Sequence, residues 1–223
     1  MFKHYVTKLL KTVDKIVENH ICTTGNAVSS CVILYETINL NLRAMFGTIL
    51  RKKVSNDKLA NVFINSLFST IDAGFPVVSE FINDDPAFVK SPCISPNDSY
   101  EFALVVIVGN ISFLESAFDP EQADKIEALV YEKLAKVYEM SVPEFKSLIK
   151  DYRSLLSRLN HPSKNTIYGM SKVIFDKYTL YNFQDEYFKR MQSPNPLFLK
   201  RMDEVVENFV WDWDGFFKKY RLD

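Results

Sequence analysis

The sequence predicts an all-α fold, and two observations support that class. Apolar residues recur at alternating intervals of three and four along most of the chain, which places them on one face of a helix. Only 6 glycines occur in 223 residues, against 18 phenylalanines and 11 tyrosines, so large apolar side chains are available for helix packing. The content of 47% hydrophobic and 25% charged residues is that of a globular protein. We expect a single multi-helical bundle over residues 1–223, with about eight or nine helices arranged largely as antiparallel hairpins.

The first two predicted helices cover residues 3–20 and 28–49. In the first, an apolar face lies opposite a basic face formed by Lys8, Lys11 and Lys15. The second is apolar nearly all round, which is typical of a central helix that packs on several sides.

The third predicted helix begins at a serine cap and ends at a glycine. Ser55 precedes Asn56 and Asp57 at its start, and Gly74 is its predicted end. A short separate segment, residues 76–82, is expected next. Residues 83–98 then contain three prolines among asparagines and aspartates, so they form a loop and the only candidate internal boundary.

The second half of the chain carries well-marked helix starts. Residues 102–114 are uncharged and shorter than the ~20 residues that span a bilayer, so we expect a buried helix and no transmembrane segment. Asp119 and Ser141 are predicted N-caps, and Ser141 with Glu144 forms a capping box. Further helices are expected over 164–178 and from Pro196 onward, the last with apolar positions continuing to residue 220.

The cysteine content and the N-terminal pattern predict a cytoplasmic protein. Cys22, Cys31 and Cys93 are too few, and odd in number, for a disulfide framework. No continuous apolar stretch followed by a small-residue cleavage site follows Met1.

Catalytic and metal-binding patterns lack the sequence context that they require. Tyr168 and Lys172 have the Tyr-x-x-x-Lys spacing of short-chain dehydrogenases, but the glycine-rich nucleotide turn of that chemistry is missing. No histidine or cysteine spacing matches a metal site. We therefore predict no catalytic residue, no metal and no cofactor, and we favour a protein that is not an enzyme.

Charge and aromatic content indicate binding to another protein. Residues 1–53 carry eight basic and three acidic residues, whereas residues 54–120 carry two basic and nine acidic. Residues 168–220 contain fourteen aromatic side chains, including both tryptophans. Tryptophan and tyrosine often anchor interfaces, and charge orients partners. The predicted partner-binding residues are Trp211, Trp213, Phe217, Lys8, Lys11 and Lys15.

These observations predict a non-enzymatic helical protein that binds a protein partner or itself in a regulatory, adaptor or assembly role. One alternative is an all-α enzyme or a carrier of a small apolar ligand, with a pocket between helices that includes His161, Tyr168 and Tyr181. A weaker alternative is a nucleic-acid-binding regulator that uses residues 1–53. The net charge of −1 and the lack of a recognisable helix-turn-helix argue against nucleic acid.

Overall fold

The computed structural model describes residues 52–222, and within them the all-α class is confirmed. A 3₁₀ turn covers Leu180–Phe183, and two short strands, β1 Lys52–Val54 and β2 Tyr220–Leu222, pair with each other. The predicted helices over 3–20 and 28–49, with Lys8, Lys11 and Lys15, lie outside the described residues, so the single domain over 1–223 stays a prediction. The helices are α1 Asn56–Asn83, α2 Tyr100–Ser112, α3 Leu114–Ala117, α4 Pro120–Val137, α5 Val142–Asn160, α6 Thr166–Lys177, α7 Glu186–Met191, α8 Pro196–Glu207 and α9 Trp213–Lys219.

Helix α2 is the centre of the described core. Every residue from 102 to 111 is buried, and the helix contacts α1, α5 and α6. The uncharged stretch after Glu101 can pack on all sides without burying an unpaired charge, which explains why this apolar run lies in the interior. The expectation of a buried helix here is confirmed.

The predicted helix starts are confirmed by their caps. Ser55 Oγ accepts a hydrogen bond from Lys58 N at 3.4 Å, and Asp119 Oδ1 accepts one from Gln122 N at 3.1 Å. In the Ser141 capping box, Ser141 N donates to Glu144 Oε2 at 2.9 Å. These bonds satisfy amide groups that the first turn of a helix leaves without an internal partner.

The predicted end of a helix at Gly74 is wrong, because α1 continues through Pro76 to Asn83. A Cβ atom on Gly74 would lie 2.7 Å from Cζ of Phe209, so this glycine permits close packing rather than a helix end. A proline inside a helix destabilises the helix. Burial of apolar side chains after the proline offsets this free-energy cost, since Val78 and Ile82 are buried in the core. The expected loop follows at residues 84–99.

The predicted last helix is interrupted between Glu207 and Trp213, and buried Asn110 on α2 explains the break. Its amide Nδ2 donates to the carbonyl oxygen of Phe209 at 2.9 Å, and its Oδ1 accepts from Trp211 N at 2.7 Å. These bonds satisfy backbone groups that a continuous helix would have paired internally. Asp212 then caps α9 by accepting from the backbone N–H of residue 215 at 2.8 Å.

Two helical stretches of the described chain have the length and composition of membrane-spanning helices. They are α1 and the run Tyr100–Ala117, which joins α2 and α3. The core helix of a soluble protein has the same properties, and 61% of the apolar window in Tyr100–Ala117 is buried inside the fold. The absence of a transmembrane segment therefore stays a prediction.

Candidate functional site

Trp211, Trp213 and Phe217 lie in an aromatic cluster at the C-terminal end of the described chain. The Trp213 ring centroid lies 5.5 Å from that of Phe63 on α1 and 5.0 Å from that of Phe118. Trp211 also contacts Phe63, at 5.6 Å, and Phe217 contacts Phe118 at 5.3 Å. Much of the aromatic surface is therefore used within the fold, and the role of these three residues in binding a partner stays a prediction.

The two indole rings can contact the same neighbours because only one of them belongs to a helix, so helical geometry does not turn them to opposite sides. Trp211 lies in the connection before α9, and Trp213 is the first residue of α9. Both Nε1 atoms are shielded from solvent and lack a hydrogen-bond partner in the described chain. These N–H groups are consequently not available to a partner in this conformation.

A second surface exposes apolar side chains around α7. Among the described residues, eight large apolar side chains are exposed, and five of them belong to segments that meet near α7. We call these five the α7 surface. Its members are Val89, Tyr181, Tyr187, Met191 and Leu197. Helix α7 itself has no buried residue, and Tyr187 and Met191 are 66% and 61% exposed.

Hydrogen bonds to one buried glutamine hold the segments of the α7 surface together. Gln184 pairs through its backbone with Phe88, and its Nε2 donates to the carbonyl oxygen of Ser193 at 3.0 Å. Its Oε1 accepts from Asn195 N at 2.6 Å. The loop before α2, the turn before α7 and the start of α8 are therefore joined at a single residue, through its backbone and its side chain, which gives the exposed side chains a fixed support.

A buried ion pair fixes the loop that carries Val89. Asp85 is buried, and Arg201 on α8 donates to it twice, with Nε at 2.8 Å from Oδ2 and Nη2 at 2.6 Å from Oδ1. Oδ1 also accepts from the backbone N–H of Ala87 at 2.8 Å. The bidentate arrangement orients the start of the loop as well as neutralising the buried charge.

Basic side chains border the α7 surface. Lys90, Lys189 and Arg190 are exposed, and Lys189 forms an ion pair of 3.6 Å with Glu186. Lys90 and Arg190 form no ion pair within the described part of the chain. The border therefore offers two basic groups that form no ion pair with the described residues, next to the carboxylates of Asp185 and Glu186.

A cleft between α6 and α8 contains one of the predicted pocket residues. Its volume is about 220 Å³. Tyr168 lines it, whereas His161 caps the end of α5 and Tyr181 lies in the 3₁₀ turn, and neither lines the cleft. The three residues are thus not brought together in this pocket. The residues that line the cleft are Tyr168, Lys172, Ser193, Pro194, Pro196, Leu199, Lys200 and Asp203.

Sequence reasoning missed Lys200 and Asp203 as pocket residues. The spacing of Tyr168 and Lys172 was visible, because residues four apart share a helix face. Lys200 and Asp203 come from a different helix, and no pattern in the sequence indicates that α8 packs beside α6. Burial raises the pKa of the Asp203 carboxyl.

Two buried tyrosines form hydrogen bonds that serve the fold. Tyr152 donates to the Glu101 carboxylate, and the Lys177 ammonium lies 3.2 Å from that carboxylate and 4.2 Å from the Tyr152 ring centroid. Burial and the acceptor raise the pKa of the Tyr152 phenol, so it stays protonated. Tyr131 donates to Glu127 on the same helix α4, and Glu127 also accepts from Arg153 Nη2 on α5 at 2.7 Å. We assign these groups to packing between helices, since none lines the cleft.

The described residues contain no group of three or more His, Cys, Asp or Glu side chains placed to hold a metal ion. Comparison with protein-family models, with curated proteins and with solved structures gives no match. The surfaces described above are therefore the basis for a functional proposal.

Proposed function

We propose that this protein acts without catalysis, by binding a partner protein at the α7 surface in a regulatory, adaptor or assembly role. The concentration of exposed apolar side chains on segments joined by Gln184 is the observation that supports it. Single exposed apolar residues are common on soluble proteins, but grouped ones often mark interaction sites. A short helix without a buried residue also contributes little to the core, so its apolar side chains need another explanation.

The charged border suggests the chemistry of the partner. Lys90 and Arg190 have no ion pair in the described chain, so an incoming acidic group would meet them without breaking an existing contact. We infer a partner segment with apolar anchor residues flanked by aspartate or glutamate. Its apolar side chains would contact Tyr187 and Met191, and its carboxylates would increase the rate of association.

The proposal includes a cytoplasmic location, which the cysteine content supports. Cys93 is a free, exposed thiol in the described part of the chain. Exposed free thiols persist in reducing compartments, whereas oxidising compartments favour disulfides.

The decisive experiment compares two double variants in partner capture. We expect Tyr187→Ser with Met191→Ser to reduce the affinity for the captured partner at least about tenfold, because two anchors lose their apolar contacts. The control is Val137→Ser with Met140→Ser. Those side chains are 56% and 36% exposed but lie at the end of α4 and beyond it, outside the α7 surface.

Circular dichroism should show that both double variants stay folded, since exposed substitutions change stability little. Capture followed by calorimetry with the purified partner gives the affinities. Retention of the partner by the Tyr187/Met191 variant, or an equal loss in the control, would refute this surface as the binding site. Sedimentation of the purified chain tests self-association. If the unmodified chain forms dimers and the Tyr187/Met191 variant does not, the occupant of the α7 surface is a second copy of this chain and not an acidic partner.

A further inference from the structure

The cleft between α6 and α8 adjoins the α7 surface along helix α8. Leu197, an exposed member of that surface, lies three residues before Lys200, which lines the cleft. Residues three and four apart are neighbours on a helix, so Lys200 connects Leu197 to the cleft. The connection between α7 and α8 forms another part of the wall, since Ser193 and Pro194 follow Met191 closely in the chain. A segment bound at the α7 surface can therefore extend to the cleft.

The wall that the cleft shares with the α7 surface has a fixed position. Gln184 Nε2 donates to the carbonyl oxygen of Ser193 at 3.0 Å, and Asn195 N donates to Gln184 Oε1 at 2.6 Å. Ser193 N also donates to the carbonyl oxygen of Phe188 on α7 at 3.2 Å. The cleft and the α7 surface are consequently held in one spatial relation, which a single partner segment can recognise.

The two lysines of the cleft have hydrogen-bond donors available. Lys172 Nζ donates to the carbonyl oxygen of Leu159 at 3.0 Å and lies 4.5 Å from the Tyr168 ring centroid, so its ammonium group is oriented. An ammonium group has three N–H donors, so two remain for a ligand. Lys200 is exposed and forms no hydrogen bond or ion pair within residues 52–222. A carboxylate suits such a pair of cationic donors.

The carboxylate that lines the cleft, that of Asp203, is directed toward the interior. Its Oδ1 is shielded from solvent, and it lies beside the buried hydroxyl of Ser171. Burial raises the pKa of the Asp203 carboxyl, and the hydrogen bond from Ser171 opposes that shift in part. Asp203 therefore belongs mainly to the contact between α6 and α8. The next carboxylate along the helix, Glu204, does not line the cleft.

We propose that the cleft binds an acidic side chain of the partner segment that occupies the α7 surface, an inference that rests on the function proposed above. The carboxylate of the partner interacts with Lys172 and Lys200. The methylene groups of the same side chain pack against Leu199 and the Tyr168 ring, which line the cleft. The partner is thus an extended segment in which glutamate or aspartate lies close to the apolar anchors.

The size of the cleft agrees with a single side chain. A volume of about 220 Å³ equals the liquid volume of about seven water molecules. A helix with its side chains is about 10 Å across and does not fit into such a space. The cleft is partly open to solvent, so a side chain can enter it while the backbone of the partner stays at the surface.

The test uses a phage-displayed library of random linear peptides as the probe. Peptides are selected separately on the unmodified chain, on Lys172→Gln with Lys200→Gln, and on Tyr187→Ser with Met191→Ser. We expect peptides from the unmodified chain to combine apolar residues with an aspartate or glutamate at a constant spacing. On the lysine double variant the acidic residue should lose its enrichment while the apolar residues keep theirs, because only the cleft has lost its charge.

Affinities of the most enriched peptide, measured by fluorescence anisotropy, test the contact itself. Lys200→Gln alone should weaken binding about fivefold, and this exposed substitution leaves the hydrogen bond of Lys172 intact. Replacing the acidic residue of the peptide with glutamine should weaken binding to the unmodified chain by a similar factor and should have little further effect on the lysine double variant.

The matched control is Lys150→Gln, which removes the same charge at an exposed position of α5 outside the cleft. Its affinity for the peptide should stay within about twofold of that of the unmodified chain, because exposed charges at a distance are screened by salt. An equal loss in Lys150→Gln and Lys200→Gln would overturn the proposal, since it would reflect net charge alone.

Failure of this inference is distinguishable from failure of the α7 surface. Peptides that require Tyr187 and Met191 but show no acidic preference, or bind Lys200→Gln unchanged, overturn the role of the cleft and leave the α7 surface supported. Peptides that require the lysines but bind the Tyr187/Met191 variant unchanged overturn both, because the two regions then do not form one site. Enrichment of no peptide on the unmodified chain also overturns both.

Discussion

At the scale of single residues, the Asp85–Arg201 pair shows why a buried charge needs a geometric match. The Asp85 side chain is only 1% exposed, and both of its oxygens accept from Arg201. An ammonium group cannot reproduce two parallel N–H donors, so lysine is not an equivalent partner here. The pair joins the loop after α1 to α8, and it therefore influences the position of Val89 on the α7 surface.

We expect Arg201→Met to lower the free energy of unfolding by about 3 kcal/mol, because it leaves the buried Asp85 carboxylate without its charged partner. Arg201→Lys should be intermediate, since one of the two donors is kept. Urea denaturation measures the change.

The control for this prediction is Lys189→Met, which breaks the exposed pair with Glu186. Its effect should stay below about 0.5 kcal/mol, as is usual for exposed ion pairs. Equal effects for Arg201→Met and Lys189→Met would contradict the assignment of Asp85–Arg201 as a stabilising contact.

At the scale of helices, the sequence predicts starts better than ends. Ser55, Asp119 and Ser141 act on amides within three residues of themselves, so their pattern is visible locally. The continuation past Gly74 depends on Phe209, and the break after α8 depends on Asn110, which lies 101 residues from Trp211. Such tertiary contacts leave no periodic signal in the sequence.

The same distinction applies to the candidate sites. Tyr168 and Lys172 are neighbours on one helix face and could be recognised as a pair, whereas their proximity to Asp203 follows from packing of α6 on α8. The α7 surface was missed for a different reason. It lies on short elements joined by Gln184, and such elements are too short for an apolar period to show which side is exposed.

The contact between Gly74 and Phe209 predicts a specific energetic coupling. Gly74→Ala should destabilise the protein by about 1–2 kcal/mol despite the better helix propensity of alanine, because its Cβ would overlap a buried ring. Phe209→Leu should be destabilising alone but should reduce the effect of Gly74→Ala.

A double-mutant cycle measured by urea denaturation should give a coupling of about 1 kcal/mol between these positions. The pair Asn65→Ala and Phe209→Leu is the control, since Asn65 is exposed on α1. Additive effects for Gly74 and Phe209 would show that the ring moves away without cost.

At the scale of the whole described chain, burial is distributed unevenly. Residues 102–111 of α2 are all buried, whereas α7 has no buried residue. Local opening costs less free energy where few apolar contacts are broken. The described chain therefore combines a rigid centre with a short helix whose local opening costs less free energy.

Hydrogen exchange should show this gradient directly. We expect the amides of α2 to exchange slowest among the described helices, near the rate set by global unfolding, and those of α7 to exchange fastest. Exchange followed by mass spectrometry of peptides measures both. Comparable protection of α7 and α2 would contradict the distribution of stability that burial indicates. Added partner should slow exchange in α7 and leave α2 unchanged.

The pairing of β1 with β2 joins two strands that are separated by 165 residues of chain, residues 55–219. Closing a loop of that length has a conformational-entropy cost that two three-residue strands cannot repay alone, so their pairing depends on the helices that fold between them.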